Sequence, residues 1–151
     1  MTDTTNFYGT DGDDLIDFSK RPLSQAGYSV ARAGKGNDTI FLTSGKWAVG
    51  GSGNDFIASI GFGIFGIKYD ESSKGISLDA TKGTVQDGYG NVDSIRGINA
   101  FFGSAYDDLF VGSSGMNILA HRPMSLVAMT ATSVEEVMTL FNISPNPPIF
   151  K

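Results

Sequence analysis

The sequence predicts a mainly β, repetitive fold. Three observations carry that expectation: a nine-residue pattern met five times, a composition rich in glycine and aspartate, and short apolar stretches with alternating spacing. The chain has 151 residues, 20 of them glycine, and 40% are hydrophobic, enough for one compact domain and too little for two well-filled ones. Thirteen aspartates stand against three glutamates. Helical surfaces favour Glu, whereas the short Asp side chain suits turns and hard-cation sites.

The repeats are Gly9-Thr10-Asp11-Gly12-Asp13-Asp14-Leu15-Ile16-Asp17, Ala33-Gly34-Lys35-Gly36-Asn37-Asp38-Thr39-Ile40-Phe41 and Gly50-Gly51-Ser52-Gly53-Asn54-Asp55-Phe56-Ile57-Ala58. Two more follow in tandem, Gly103 to Val111 around Asp108 and Gly112 to Ala120 around Asn117. All fit G-G-x-G-x-D-x-U-x with U apolar, and in this the sequence resembles the calcium-binding nonapeptide repeats of repeat-in-toxin (haemolysin-type) proteins.

The spacing has a physical reason of its own. Glycines at the first, second and fourth positions admit positive φ and close backbone approach, so a short turn aims its carbonyl oxygens at one point, and the sixth-position Asp adds a carboxylate. A shell of six or more oxygens suits Ca²⁺ better than Mg²⁺, which gives up its waters reluctantly. The last three residues form a short strand whose eighth position (Ile16, Ile40, Ile57, Phe110, Leu119) points inward, because strand side chains alternate.

The resemblance implies a parallel β-roll, or β-solenoid, in which each turn supplies half a coordination shell and the turn two nonapeptides along supplies the other half. Asp38 and Asp55 are 17 residues apart, one short of two nonapeptides, with the degenerate unit Leu42 to Val49 between them as the return strand. They form the strongest expected site, its ligands the carbonyls around Ala33, Gly34 and Gly36 and around Gly50, Gly51 and Gly53, plus the two carboxylates. Gly9, Asp11 and Asp14 offer a further half-site. The 24 residues from Asp14 to Asp38, through Lys20, Arg21 and Pro22, break the period and leave its partner open. Asp108 and Asn117, nine apart, fall on opposite edges and need partners from elsewhere. The competing reading of each turn is a metal-free Asx turn. Asn37-Asp38-Thr39 also fits an N-glycosylation sequon, although the repeat explains its Asp.

Residues 1–120 are therefore read as a calcium-binding roll and 59–102 as a spacer within it. In the spacer Ile60, Phe62, Ile64, Phe65, Ile67 and Tyr69 alternate with or adjoin glycines, and Gly75 to Asp79 and Gly83 to Gln86 read as short strands. It also looks like the spacers that join repeat blocks in that family, continuing the roll as wider coils. Asp87 to Asp93 is either a plain turn or a source of oxygens for another cation. Residues 121–151 form a non-repeat tail that lacks both Gly and Asp. Met129-Thr130 and Met138-Thr139 lie nine apart, and reading ATG-ACN from its third base restores Asp codons at the nonapeptide period. The tail is thus expected to be a frameshifted remnant of further repeats, which the nucleotide sequence tests. Ser133 and Glu136 make a capping box for a short C-terminal helix over about 134–142; the alternative is a disordered tail.

Composition narrows the function. The formal charge of -5 argues against nucleic acid and anionic membrane as partners, and no stretch approaches the ~20 apolar residues of a membrane span. There is no cysteine and a single histidine, His121, with no hydrolase or metalloprotease signature, so no enzyme activity is expected. Two function classes remain. One is a calcium-dependent folding module of a secreted bacterial exoprotein, acting outside the cell after type I secretion, as the resemblance implies. The other is a module binding acidic polysaccharide beside a modifying enzyme, for which Lys20, Arg21, Arg32, Lys35 and Lys46 are the clustered cations.

Overall fold

A computed structural model describes residues 6–20, 29–112, 117–119 and 124–129. The chain is mainly β, with parallel strands in two sheets. The strands are β1 (Asn6–Tyr8), β2 (Leu15–Asp17), β3 (Val30–Lys35), β4 (Thr39–Leu42), β5 (Lys46–Ser52), β6 (Phe56–Ser59) and β7 (Phe65–Lys68). They continue as β8 (Ser77–Asp79), β9 (Thr84–Gln86), β10 (Val92–Arg96), β11 (Ala100–Phe102), β12 (Asp108–Gly112), β13 (Asn117–Leu119) and β14 (Met124–Met129). Through β7 the chain alternates between sheets at every strand: one sheet has the order β1-β3-β5-β7-β11-β13, the other β14-β12-β8-β9-β10-β6-β4-β2.

The nonapeptide produces this alternation. In four of the five repeats the glycine half turns the chain from the first sheet to the second, and the D-x-U-x half becomes the strand there; the strand of the fifth, β13, joins the first sheet. The eighth-position residues Ile16, Ile40, Ile57 and Phe110 are all buried in one core with Ala31, Ala33, Ala48 and Ile67 of the facing sheet. Their seventh-position neighbours Leu15 and Phe56 are exposed, as a period of two demands. Leu119, expected to face inward, lies where only the strand itself is described.

Register repeats in both sheets at once. Asn6 pairs with Val30 and Leu15 with Thr39, each 24 residues on, while Val30 pairs with Trp47 and Thr39 with Phe56, each 17 on. The long excursion after Asp17 therefore leaves the stacking of the first turn intact. The return strand between Asp38 and Asp55 is β5, slightly later than the expected Leu42 to Val49.

The spacer differs from a set of wider coils. Phe65, Ile67 and Tyr69 point inward from β7 and the residue after it, but Ile60, Phe62 and Ile64 occupy an exposed loop in which Gly61 and Gly63 have positive φ. The chain then stays in the second sheet for three strands, with β9 antiparallel to both β8 and β10. Asp79 makes the first reversal by accepting the N–H groups of Thr81 and Lys82 at 3.1 and 3.2 Å. At the far end, β14 pairs with β12, so the sheet passes the boundary expected at residue 120. His121 and the expected helix at 134–142 lie outside the described residues.

Candidate metal centre

The crossings from the first sheet to the second, β1 to β2, β3 to β4, β5 to β6 and β11 to β12, are the glycine halves of four repeats. Parallel pairing places them along one edge. There the sixth-position aspartates, joined by Asp93 of the spacer, form a ladder: Asp38 Oδ1 accepts from Asp14 N at 2.8 Å, Asp55 Oδ1 from Asp38 N at 2.9 Å, and Asp93 Oδ1 from Asp55 N at 3.0 Å. A second ladder runs beside it in the opposite sense. Asp13 Oδ1 accepts from Asn37 N at 2.7 Å, Asn37 Oδ1 from Asn54 N at 2.9 Å, and Asn54 Oδ1 from Val92 N at 3.0 Å. The Asn/Asp-Asp pair of the repeat thus satisfies turn N–H groups that the sheets do not reach.

The glycines set how closely the turns stack. At Gly51 and Gly53, φ is +101° and +138°, and a Cβ at either would collide with the carbonyl oxygen of Gly34 or Gly36 in the turn beneath. A Cβ on Gly50 would strike Asp55 Oδ2. The first glycine is therefore the space into which the carboxylate folds, and Gly103 does the same for Asp108.

The second residue of the turn divides the sites into two kinds. Where it is Thr10 or Ser104, the turn closes on itself. Asp14 Oδ2 accepts from Thr10 N and Oγ1 at 2.6 and 3.0 Å; Asp108 Oδ2 accepts from Ser104 N at 2.8 Å, and its Oδ1 from Ser104 Oγ and Ile76 N at 2.5 and 2.9 Å. Where it is Gly34 or Gly51, no hydroxyl exists. Asp38 and Asp55 are 1% and 2% exposed, and the Oδ2 of each has no hydrogen-bond partner among the described residues.

Electrostatics follow from that arrangement. Burial pushes the Asp38 carboxyl above the ordinary aspartate value, and pushes Asp55 up to about 6, with Asp38 and Asp87 adding repulsion. Asp93 is raised to about 7, again mainly by burial, although Asp55 N and the Tyr69 hydroxyl, 2.8 Å from Oδ2, both favour its charge. Three stacked carboxyls at one edge therefore resist ionisation together.

Of the residues expected to bind metal, the structure brings together Ala33, Gly34, Gly36, Asp38, Gly50, Gly51, Gly53 and Asp55, with Gly9 and Asp14 one turn below. Asp11 is exposed and paired with Lys35 at 2.8 Å. Asp108 and Asn117 open strands of different sheets and do not meet. Asp87 and Asp93 bound the stretch read as either a plain turn or a source of oxygens for another cation, whereas Tyr69 was not expected at the site. Asp93-Ser94-Ile95 repeats the D-x-U signal of the nonapeptide, which was legible; the Tyr69 contact, 24 residues away, was not.

No group of three or more His, Cys, Asp or Glu side chains gathers in metal-holding geometry among the described residues, so any cation on this edge draws most of its ligands from carbonyls. No helix among them is long and apolar enough to cross a membrane. Comparison with known proteins finds no matching family model, no matching curated protein and no matching solved structure.

Proposed function

We propose that this chain is a calcium-binding module of the repeat-in-toxin kind, a parallel β-roll that takes its stable form on binding extracellular Ca²⁺ as part of a secreted exoprotein. The observation that carries the reading is the pair of Asp38 and Asp55 Oδ2 atoms, buried in successive turns without a hydrogen-bond partner among the described residues. A buried polar oxygen lacking a partner is costly, and an ionised one more so. A hard cation held by these oxygens and by the turn carbonyls offsets that penalty, and an all-oxygen donor set with flexible geometry suits calcium. Because binding and folding are then linked, the metal acts as folding free energy.

The polysaccharide reading draws no comparable support. Of the five cations expected, Lys35 pairs with Asp11, Arg32 with Glu71 at 2.5 Å and Lys20 with Asp17 at 3.2 Å, so these three are locally neutralised; Lys46 Nζ lies 5.8 Å from the Phe18 ring centroid, and Arg21 is outside the described residues. The ring of Trp47 is covered by Lys68, whose Nζ lies 5.1 Å from its centroid.

The test is a calcium titration of the full chain followed by circular dichroism and thermal unfolding. Calcium is expected to raise the β signal and the Tm, with chelator reversing both. Asp38→Asn with Asp55→Asn should remove most of the calcium response. A wild-type chain with the same spectrum and Tm in calcium and in chelator overturns the proposal.

A further inference from the structure

Among the described residues, three buried side-chain oxygens lack a hydrogen-bond partner, and the third is Asp87 Oδ2. Asp87 lies outside every nonapeptide, directly after β9, and is 4% exposed. Because β9 runs antiparallel to its neighbours, its last residues reach the same edge of the sheet as the starts of β8 and β10. Asp87 therefore stands in line with the aspartate ladder, in the interval between Asp93 and Asp108.

Its turn chemistry accounts for only half of the carboxylate. Oδ1 accepts from Tyr89 N at 3.0 Å and Asn91 N at 2.7 Å, an ordinary Asx arrangement. Oδ2 is left over. The residue lines a cleft of about 380 Å³ together with Lys74, Gly75, Tyr89 and Asp107. Two tight approaches bring backbone oxygens against glycines that line this cleft: a Cβ on Gly88 would collide with Ser72 Oγ and the Lys74 carbonyl, and one on Gly75 with the Asp107 carbonyl. The Ser72 hydroxyl is turned to the Lys74 carbonyl at 2.9 Å and keeps lone pairs to offer. No ion pair is formed by Asp87 among the described residues, and its charge acts unfavourably on Asp55 and Asp93 and on the Tyr89 hydroxyl.

We propose that Asp87 Oδ2, with the carbonyl oxygens of the 72–75 and 87–91 loops and of Asp107, forms a second divalent-cation site, of the calcium class, in the segment that interrupts the repeats. The donors are all oxygen and irregularly placed, which favours Ca²⁺ over Mg²⁺ and over zinc, whose sites draw on His and Cys. The site needs no nonapeptide and does not depend on metal at Asp38 and Asp55. It would also add to the bond from Ile76 N to Asp108 Oδ1 in holding the β8–β9–β10 meander to the coil of Asp107.

The experiment is calorimetric titration of the full chain with CaCl₂ in metal-free buffer, for the wild type, Asp87→Asn, Asp38→Asn with Asp55→Asn, and the triple variant. Asn retains the oxygen that accepts from Tyr89 and Asn91. Asp87→Asn is expected to lower the bound calcium by one per chain; the double variant keeps an Asp87-dependent ion that the triple variant loses. Should Asp87→Asn fail to fold, terbium(III) luminescence decides the matter in an otherwise wild-type chain, because Tyr89→Phe should reduce tyrosine-sensitised emission without changing calcium stoichiometry. Unchanged stoichiometry in Asp87→Asn, or emission indifferent to Tyr89→Phe, overturns the site. Loss of all binding in an Asp38/Asp55 variant that keeps its β circular-dichroism signal likewise overturns it while sustaining the nonapeptide reading; the converse result rejects that reading and keeps this site.

Discussion

Gly50 and Asp55 show how a single position ties packing to chemistry. The absent Cβ of Gly50 is the volume into which the Asp55 carboxylate folds, so its role is spatial and owes nothing to a left-handed backbone. Gly50→Ala is expected to destabilise the calcium-loaded chain by about 1 to 3 kcal/mol, the usual range for overpacking, and to weaken calcium binding with it. Gly45 provides the contrast. It has φ +77° and open space around its Cα, so Gly45→Ala should cost about 1 kcal/mol through backbone strain and leave calcium affinity alone. Thermal unfolding with and without calcium separates the two. The need for a small residue at Gly50 was legible from the repeat; that the Asp five residues later fills the space became visible only in three dimensions.

At the scale of elements, the consensus residues do two jobs that the sequence pattern does not distinguish. Asn37 and Asn54 cap the N–H groups of the neighbouring turn, while Asp38 and Asp55 cap with one oxygen and keep the other. Asn54→Ala leaves the exposed Val92 N–H to water and should lower stability by about 1 kcal/mol, equally in calcium and in chelator. Chemical denaturation under both conditions checks this, and an effect confined to calcium would place Asn54 in the metal shell. The strands themselves were largely readable: β2, β4, β6, β12 and β13 fall on the repeats, and β8 and β9 on the alternating stretches of the spacer. What could not be read was the direction of β9. Reversal there depends on the Asp79 turn and on pairing with β8 and β10, and neither follows from alternation of apolar residues.

Across the whole molecule, aspartates collect on one edge of the stacked strands. Asp38, Asp55 and Asp93 all have carboxyls pushed above the ordinary value of 3.8, Asp55 to about 6 and Asp93 to about 7, chiefly by burial. The folded chain therefore retains protons that the unfolded chain releases. The stability this contributes is complete below pH about 4 and is lost as pH rises through about 6 to 7. In chelator the Tm should fall over that window, and Asp93→Asn should flatten the fall; a Tm that rises with pH there contradicts the assignment. On the proposed calcium binding, the metal would oppose the trend by favouring the ionised carboxylates, and its stabilising effect should grow from pH 5 to pH 7.

Composition and the nine-residue period were enough to predict β strands, their inward positions and turns that carry aspartates, because each depends on residues within one repeat. Which turns stack, and which oxygens remain unpaired once they do, depends on contacts 17, 24 and 38 residues apart. The chain order of Gly9 to Asp14 and Gly50 to Asp55 makes them look alike; Thr10 closes the first turn on its own carboxylate, and Gly51 leaves the second open. Local spacing specifies the turn, but the partner of each polar atom is specified by the layer packed against it.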